Sequence, residues 1–208
     1  MIILDIETTG LDPELNGLLS IGAVDFLRPS ETFYGECRIR EGERIDPEAI
    51  DVNGFDLEEI KDKSKQTTRD LIISFDEWLK SRSIRMVGGL HISAFDVPFL
   101  NKKALQCGVR MRLHRRTIDL HSIAYAKMQE LGKVVPMTDG WSVMDTDVIY
   151  PFVGLPKEPK PKNALSGAKW EAEALSRLMR GFGLVKELSR YPIPEYLVKK
   201  KRVVRKIQ

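Results

Sequence analysis

Asp5 and Glu7 stand two residues apart at the end of an apolar run, Met1 to Leu4, that reads as a buried strand. In a strand, residues i and i+2 share a face, so both carboxylates point the same way. Two acids on one face repel unless they are neutralised. A pair of hard divalent cations does that, and Mg²⁺ or Mn²⁺ takes oxygen ligands. Thr8, Thr9 and Gly10 follow, with hydroxyls, backbone N–H groups and a turn that admits a substrate backbone. Taken alone, the Asp-x-Glu pair also fits an edge strand with two solvated acids. The second acidic landmark is His91-Ile-Ser-Ala-Phe-Asp96. A strand ends near Leu90 and Asp96 opens the next helix, and ligands in α/β sheets gather beyond strand ends. Asp96 can there join Asp5 at a metal, with Phe95 beneath it or stacked on a base. Taken singly, Asp96 also fits a helix cap and Phe95 a core ring.

The elements that must position these acids follow from the pattern. Asn16-Gly17 marks a turn, Leu18 to Leu27 a second strand, and Thr32 to Arg40 a third, together an antiparallel meander. Ile45 to Val52 and Asp56 to Ile60 read as short helices. Thr67 to Lys80 is a longer one, with Leu71, Ile72, Phe75, Trp78 and Leu79 on one face. Arg85 to Leu90 reads as a strand and Phe95 to Cys107 as a helix stopped by Gly108. Thr117 to Leu120 is a strand or a turn, leading into a helix from His121 to Leu131. The stretch from Gly132 to Pro161 is the least regular, with a short helix between Trp141 and Val153. Asn163 to Gly181 is a long helix rich in Ala, Leu, Glu and Lys. Early strands, then helices separated by further strands, predict an α/β fold with a mixed sheet flanked by helices.

At 208 residues, 42% hydrophobic and 30% charged, the chain has the composition of a globular protein and room for a real core. No apolar run approaches the ~20 residues of a membrane span, and no charged segment followed by an apolar signal core opens the chain. Cys37 and Cys107 are far apart, which argues for a reducing, cytoplasmic setting and against a zinc site. The net charge of +3 is uneven: Lys199, Lys200, Lys201, Arg202, Arg205 and Lys206 supply six positive charges, leaving about −3 for the rest. Residues 191–208 therefore read as a basic tail, which either holds nucleic-acid phosphates or is a solvated terminus, after a domain spanning 1–190.

These motifs in register resemble the DEDD family of metal-dependent 3′–5′ exonucleases, the superfamily of polymerase proofreading subunits and ribonuclease T-like enzymes. Asp5, Glu7, Thr8, Thr9 and Gly10 match its first motif, and Ser20-Ile-Gly-Ala23 falls on its next strand. Ile45 to Ile50 with Asn53-Gly54 look like its first helix and turn. His91, Phe95 and Asp96 match the second motif, and Asp119 sits where a family aspartate ends the following strand. The resemblance runs from Met1 to about Met179. The third motif departs. The histidine subclass carries His-x-Ala-x-x-Asp on a late helix, where this chain reads Lys162-Asn-Ala-Leu-Ser-Gly167. Lys162 takes the position of the general-base histidine and Gly167 that of the fourth acid. The tyrosine subclass does not restore the pattern, since no Tyr lies on this helix.

Glu171 is a candidate replacement acid. It lies four residues past Gly167, on nearly the same helix face, about 5.4 Å further along. It also fits a surface helix glutamate, while Glu173 points elsewhere. Lys162 is a poor base, since an unperturbed lysine titrates near ~10.4 against ~6.5 for histidine; protonated, it can hold a phosphate oxygen.

The resemblance implies a ribonuclease H-like exonuclease fold. It implies hydrolysis of single-stranded DNA or RNA from the 3′ end with two Mg²⁺ or Mn²⁺ ions, in DNA repair or RNA processing. Asp5, Glu7, Asp96 and Lys162 are the expected catalytic residues and Asp5, Glu7, Asp96 and Glu171 the expected metal ligands. Thr8, Thr9, Gly10, His91 and Phe95 are expected to meet the substrate. The altered third motif keeps a second expectation open: a nucleic-acid-binding module, or a subunit associated with a polymerase, that has lost catalysis.

Overall fold

The computed structural model describes residues 1–159 and 163–198; Lys162 and the basic residues from Lys199 onward lie outside the described residues. β1 (Ile2–Thr8), β2 (Leu18–Asp25) and β3 (Thr32–Glu36) form the expected antiparallel meander. β4 (Val87–Gly89) and β5 (Ile118–Asp119) add in parallel to β1, giving the order β3-β2-β1-β4-β5. The expected extension of the third strand to Arg40 does not occur. Beyond Cys37, whose N–H still reaches the Leu19 carbonyl of β2, the chain leaves β2, and Arg38 and Ile39 donate backbone N–H groups to the Gln66 and Ile60 carbonyls instead.

The helices are α1 (Pro47–Asn53), α2 (Thr68–Lys80), α3 (Asp96–Gln106), α4 (Leu120–Glu130), α5 (Thr146–Phe152) and α6 (Ala164–Arg180). Glu59–Lys61 is a 3₁₀ turn where a short helix from Asp56 was expected. Their ends follow local chemistry. Thr67 and Asp70 close a capping box on α2, Asn163 accepts from the N–H groups of Leu165 and Ser166, and Gly181 ends α6 in the left-handed conformation. Met137–Thr138 (β6) and Trp141–Ser142 (β7) form a small hairpin that the sequence pattern did not announce, because two-residue strands carry no usable alternation.

Two cores sandwich the sheet. Ile2, Leu4 and Ile6 point to α2 and α3, packing with Leu71, Ile72, Phe75, Phe99 and Leu100. Met1 and Ile3 point the other way, to the core shared by α4, α5 and α6. Asp5 and Glu7 continue that second, odd-numbered face, so β1 delivers its acids under α6. The approach is close: a side chain at Gly22, which pairs in register with Asp5, would run into the Ala164 backbone at 2.1 Å.

Residues 191–198 do not begin a tail. Tyr191, Ile193 and Leu197 pack on the α6 core, and Tyr196 donates its hydroxyl to the Phe152 carbonyl at 2.7 Å. This is a correction to the expected boundary at 191, and its cause is apolar burial.

Candidate active site

The odd-numbered face of β1 ends in a cavity of about 380 Å³ whose walls include Asp5, Glu7, His91, Phe95, Asp96, Gly167 and Glu171. Acids from β1, the start of α3 and the middle of α6 thus meet at the carboxyl ends of the central strands. Glu171 is buried, with Oε2 accepting from the Leu90 N–H at 3.0 Å, so it is no surface glutamate. Glu173 faces elsewhere as expected: it is buried in an ion pair with Arg177 at 2.7 Å. Asp96 is buried in the first turn of α3. It does not cap that helix, because the cap position is Phe95.

Gly167 explains how the third motif can be altered without emptying the site. A Cβ placed there would stand 1.9 Å from Asp5 Oδ2. The carboxylate of Asp5 therefore occupies the space that a side chain at 167 would take, and the acid enters one turn later from Glu171. Gly167→Ala is expected to cost about 1–3 kcal/mol by overpacking, read as a fall in the denaturation midpoint. Gly167→Asp, which would put an acid back at the third motif's fourth-acid position, is expected to displace Asp5 rather than complete the site.

Electrostatics make the cluster self-repelling. Burial, then Glu171, Glu7, Asp96 and Glu158, hold Asp5 well above the ordinary carboxyl range. Burial pushes Asp96 up to about 8, against the backbone N–H groups of Asp96 and Ile6 that favour its charged form, with Glu7 and Asp119 raising it further. Glu171 is raised by burial and by Asp96, opposed by the Leu90 N–H. Among the described residues no three His, Cys, Asp or Glu side chains are already gathered to hold a metal ion. The donor chemistry nonetheless fits hard divalent cations: buried carboxylate oxygens line one cavity, and none of its walls is a cysteine.

The residues expected to meet substrate divide. Thr8, Gly10 and Phe95 line an adjoining cleft of about 290 Å³ with Leu11, Ala49 and Val52. Thr9 does not, which corrects its expected substrate role. It is fully buried, its N–H donates to the Gly17 carbonyl, its carbonyl accepts from Asp46, and its hydroxyl donates to the Arg44 carbonyl at 2.5 Å. It braces the loop after β1 instead. His91 lines the main cavity and is held at φ 51°, a conformation that non-glycine residues rarely adopt. Asp119 caps α4 through the Ser122 N–H at 3.3 Å, and its charge helps to raise Asp96 and Glu171. Lys162 lies outside the described residues.

Two cavity residues were missed from the sequence. Tyr150 reaches in from α5, its hydroxyl raised well above the usual value by burial, then by Glu171, Glu158 and Asp5. Glu158 comes from the proline-rich segment before α6. No spacing announces Tyr150; for Glu158 the one available signal was an acid four residues before Lys162.

The profile of the exonuclease (RNase T) family matches residues 2–142. The fold is similar to E. coli exonuclease I in complex with a dT13 oligonucleotide, with TM-score 0.64, 15% identity, and coverage of 85% of this chain and 40% of that one. It is also similar to cell-death related nuclease 4 (CRN-4), with TM-score 0.65, 17% identity, and coverage of 88% and 64%. A zinc-bound form of the E. coli exonuclease I–single-stranded DNA complex aligns at TM-score 0.66 and 15% identity, over 86% of this chain and 40% of that one. This chain thus spans well under half of exonuclease I. The five-stranded mixed sheet flanked by helices is the ribonuclease H-like exonuclease fold. With its first two acidic motifs folded onto one cavity, the chain belongs to the DEDD-type exonuclease family.

Proposed function

We propose that this chain is a metal-dependent 3′–5′ exonuclease acting on single-stranded DNA or RNA, with Asp5, Glu7, Asp96 and Glu171 holding two Mg²⁺ or Mn²⁺ ions. The observation that carries this reading is Glu171. It is buried among the acids, and of the neighbouring charges it acts most strongly on Asp5. A domain that had dropped its chemistry would gain by losing such a buried, self-repelling carboxylate. When bound, the ions would neutralise the phosphate and lower the pKa of the attacking water. The chain's own part is to hold four carboxylates around one cavity and to offer the terminal nucleotide the cleft lined by Leu11, Val52 and Phe95. Lys162 is proposed to limit the rate, since a protonated lysine cannot take a proton, whereas a positioned base contributes about 10²–10⁴-fold.

The altered third motif supports one competing reading, a binding module without catalysis. Release of mononucleotides from a 3′-labelled single strand, with Mn²⁺ and with chelator, separates the two. A companion melt checks the ions independently of turnover. The folded state, with Asp96 at about 8 against an ordinary 3.8, keeps protons that the unfolded chain has lost. Stability without metal therefore falls as pH rises across that window. Mn²⁺ is expected to raise the midpoint more at pH 8 than at pH 5 (values chosen toward the two ends of the window). Mn²⁺-independent melts together with no release would establish the binding-module reading.

A further inference from the structure

The cavity wall formed by His91 continues outward as a line of rings. The His91 and His121 rings lie 5.3 Å apart, and His121 stacks on Tyr125 at 6.4 Å with 26° between planes. His121 and Tyr125 are i and i+4 on α4, so they share one helix face, which flanks the buried row of Leu120, Ala124 and Met128. The β6–β7 hairpin is pinned to this line by the Ser142 hydroxyl, 2.6 Å from His121 Nε2, and it carries Trp141, 78% exposed. All of this lies at the β5 edge of the sheet, where β5 has no further strand beside it among the described residues. The chain entering β5 supplies Arg115 and Arg116. Both are exposed, and neither is held in an ion pair among the described residues.

We propose that this β5 edge is the track for the strand leading away from the cavity, and that it takes unpaired nucleic acid: bases stack along His121, Tyr125 and Trp141 while Arg115 and Arg116 hold phosphates. The assignment rests on the nuclease reading of the cavity for its end point, but not for its binding chemistry. Exposed rings, with exposed positive charge on the chain entering the same edge strand, suit a single strand, because stacking needs a free base face and a duplex offers none. The acidic cavity repels phosphate until cations mask it, so affinity for the strand must come from elsewhere, and this edge adjoins it.

The test is equilibrium binding of a fluorescent 20-nucleotide single strand in EDTA, over a range of salt, so that no cleavage intervenes. Arg115→Ala/Arg116→Ala is expected to flatten the slope of log affinity against log salt by about one to two. Tyr125→Ala/Trp141→Ala is expected to weaken binding by about fivefold or more with the slope unchanged. All four residues are solvent-facing, and a melt of each variant confirms the fold. The segment from Lys199 onward is the same in every protein compared, so the differences belong to the edge. Parent-like affinity and slope in both variants overturn the track, as does equal or tighter binding of the matching duplex. Binding that depends on these residues in a protein that releases no nucleotide with Mn²⁺ leaves the track standing and overturns the nuclease reading instead.

Discussion

Asp5→Asn is expected to lower metal-dependent nucleotide release by at least about 10²–10³-fold, the range seen when one preorganised electrostatic contact is removed, while leaving the protein folded. Asp5 is the point on which the site converges. Its carboxylate rests against Gly167, and Glu171, Glu7, Asp96 and Glu158 all act on it. The substitution keeps size and shape and removes only charge. Because that charge is buried among like charges, its removal should stabilise the ion-free protein. The expected signature is a split: release falls and the metal-free midpoint rises. A loss of both would mean that Asp5 supports the fold, and parent-like release from a folded Asp5→Asn protein would defeat the assignment.

Arg177→Ala is expected to cost about 3–5 kcal/mol, the penalty for breaking a buried pair by removing one partner, or about 10 °C in midpoint for a domain of this size. Arg177 is 1% exposed in its side chain and pairs with Glu173, whose exposure is 0%. Its guanidinium also donates to the carbonyls of Val153 and Tyr191, both at 2.9 Å, and more distantly to Gly154, Leu188 and Pro192. Glu173 in turn accepts from the N–H groups of Leu184 and Val185 at 2.6 and 2.8 Å. One ion pair therefore ties three stretches of irregular chain to α6. Arg177→Met with Glu173→Gln, which leaves no buried charge behind, is expected to cost clearly less than the single variant. Equal losses would show that the carbonyl contacts, not the charge, carry the effect. The stretch from Val153 leads to Glu158, so the single variant should also slow nucleotide release at temperatures where it remains folded.

The sequence by itself determined the parts of this protein that local rules govern. Alternation along Met1 to Glu7 placed both acids on one face, and β1 bears that out. Asn163 and Gly181 marked the ends of α6, and helical periodicity brought Glu171 back to the face of Gly167. The motifs around Asp5, Glu7 and Asp96 announced the fold. Tertiary structure decided what no local period encodes. Thr9 looked like a substrate contact, but its N–H, carbonyl and hydroxyl are consumed by Gly17, Asp46 and Arg44, the last two far along the chain. Tyr150 enters the cavity because α5 packs on the α6 core, and Glu158 because the irregular segment after α5 is held at its start by Arg177; such segments take their course from long-range packing rather than from their own residues. Gly167 looked like a lost acid. Only the fold shows that a Cβ there would stand 1.9 Å from Asp5 Oδ2, since whether a missing side chain is a gap or a clearance depends on what the rest of the fold brings against it.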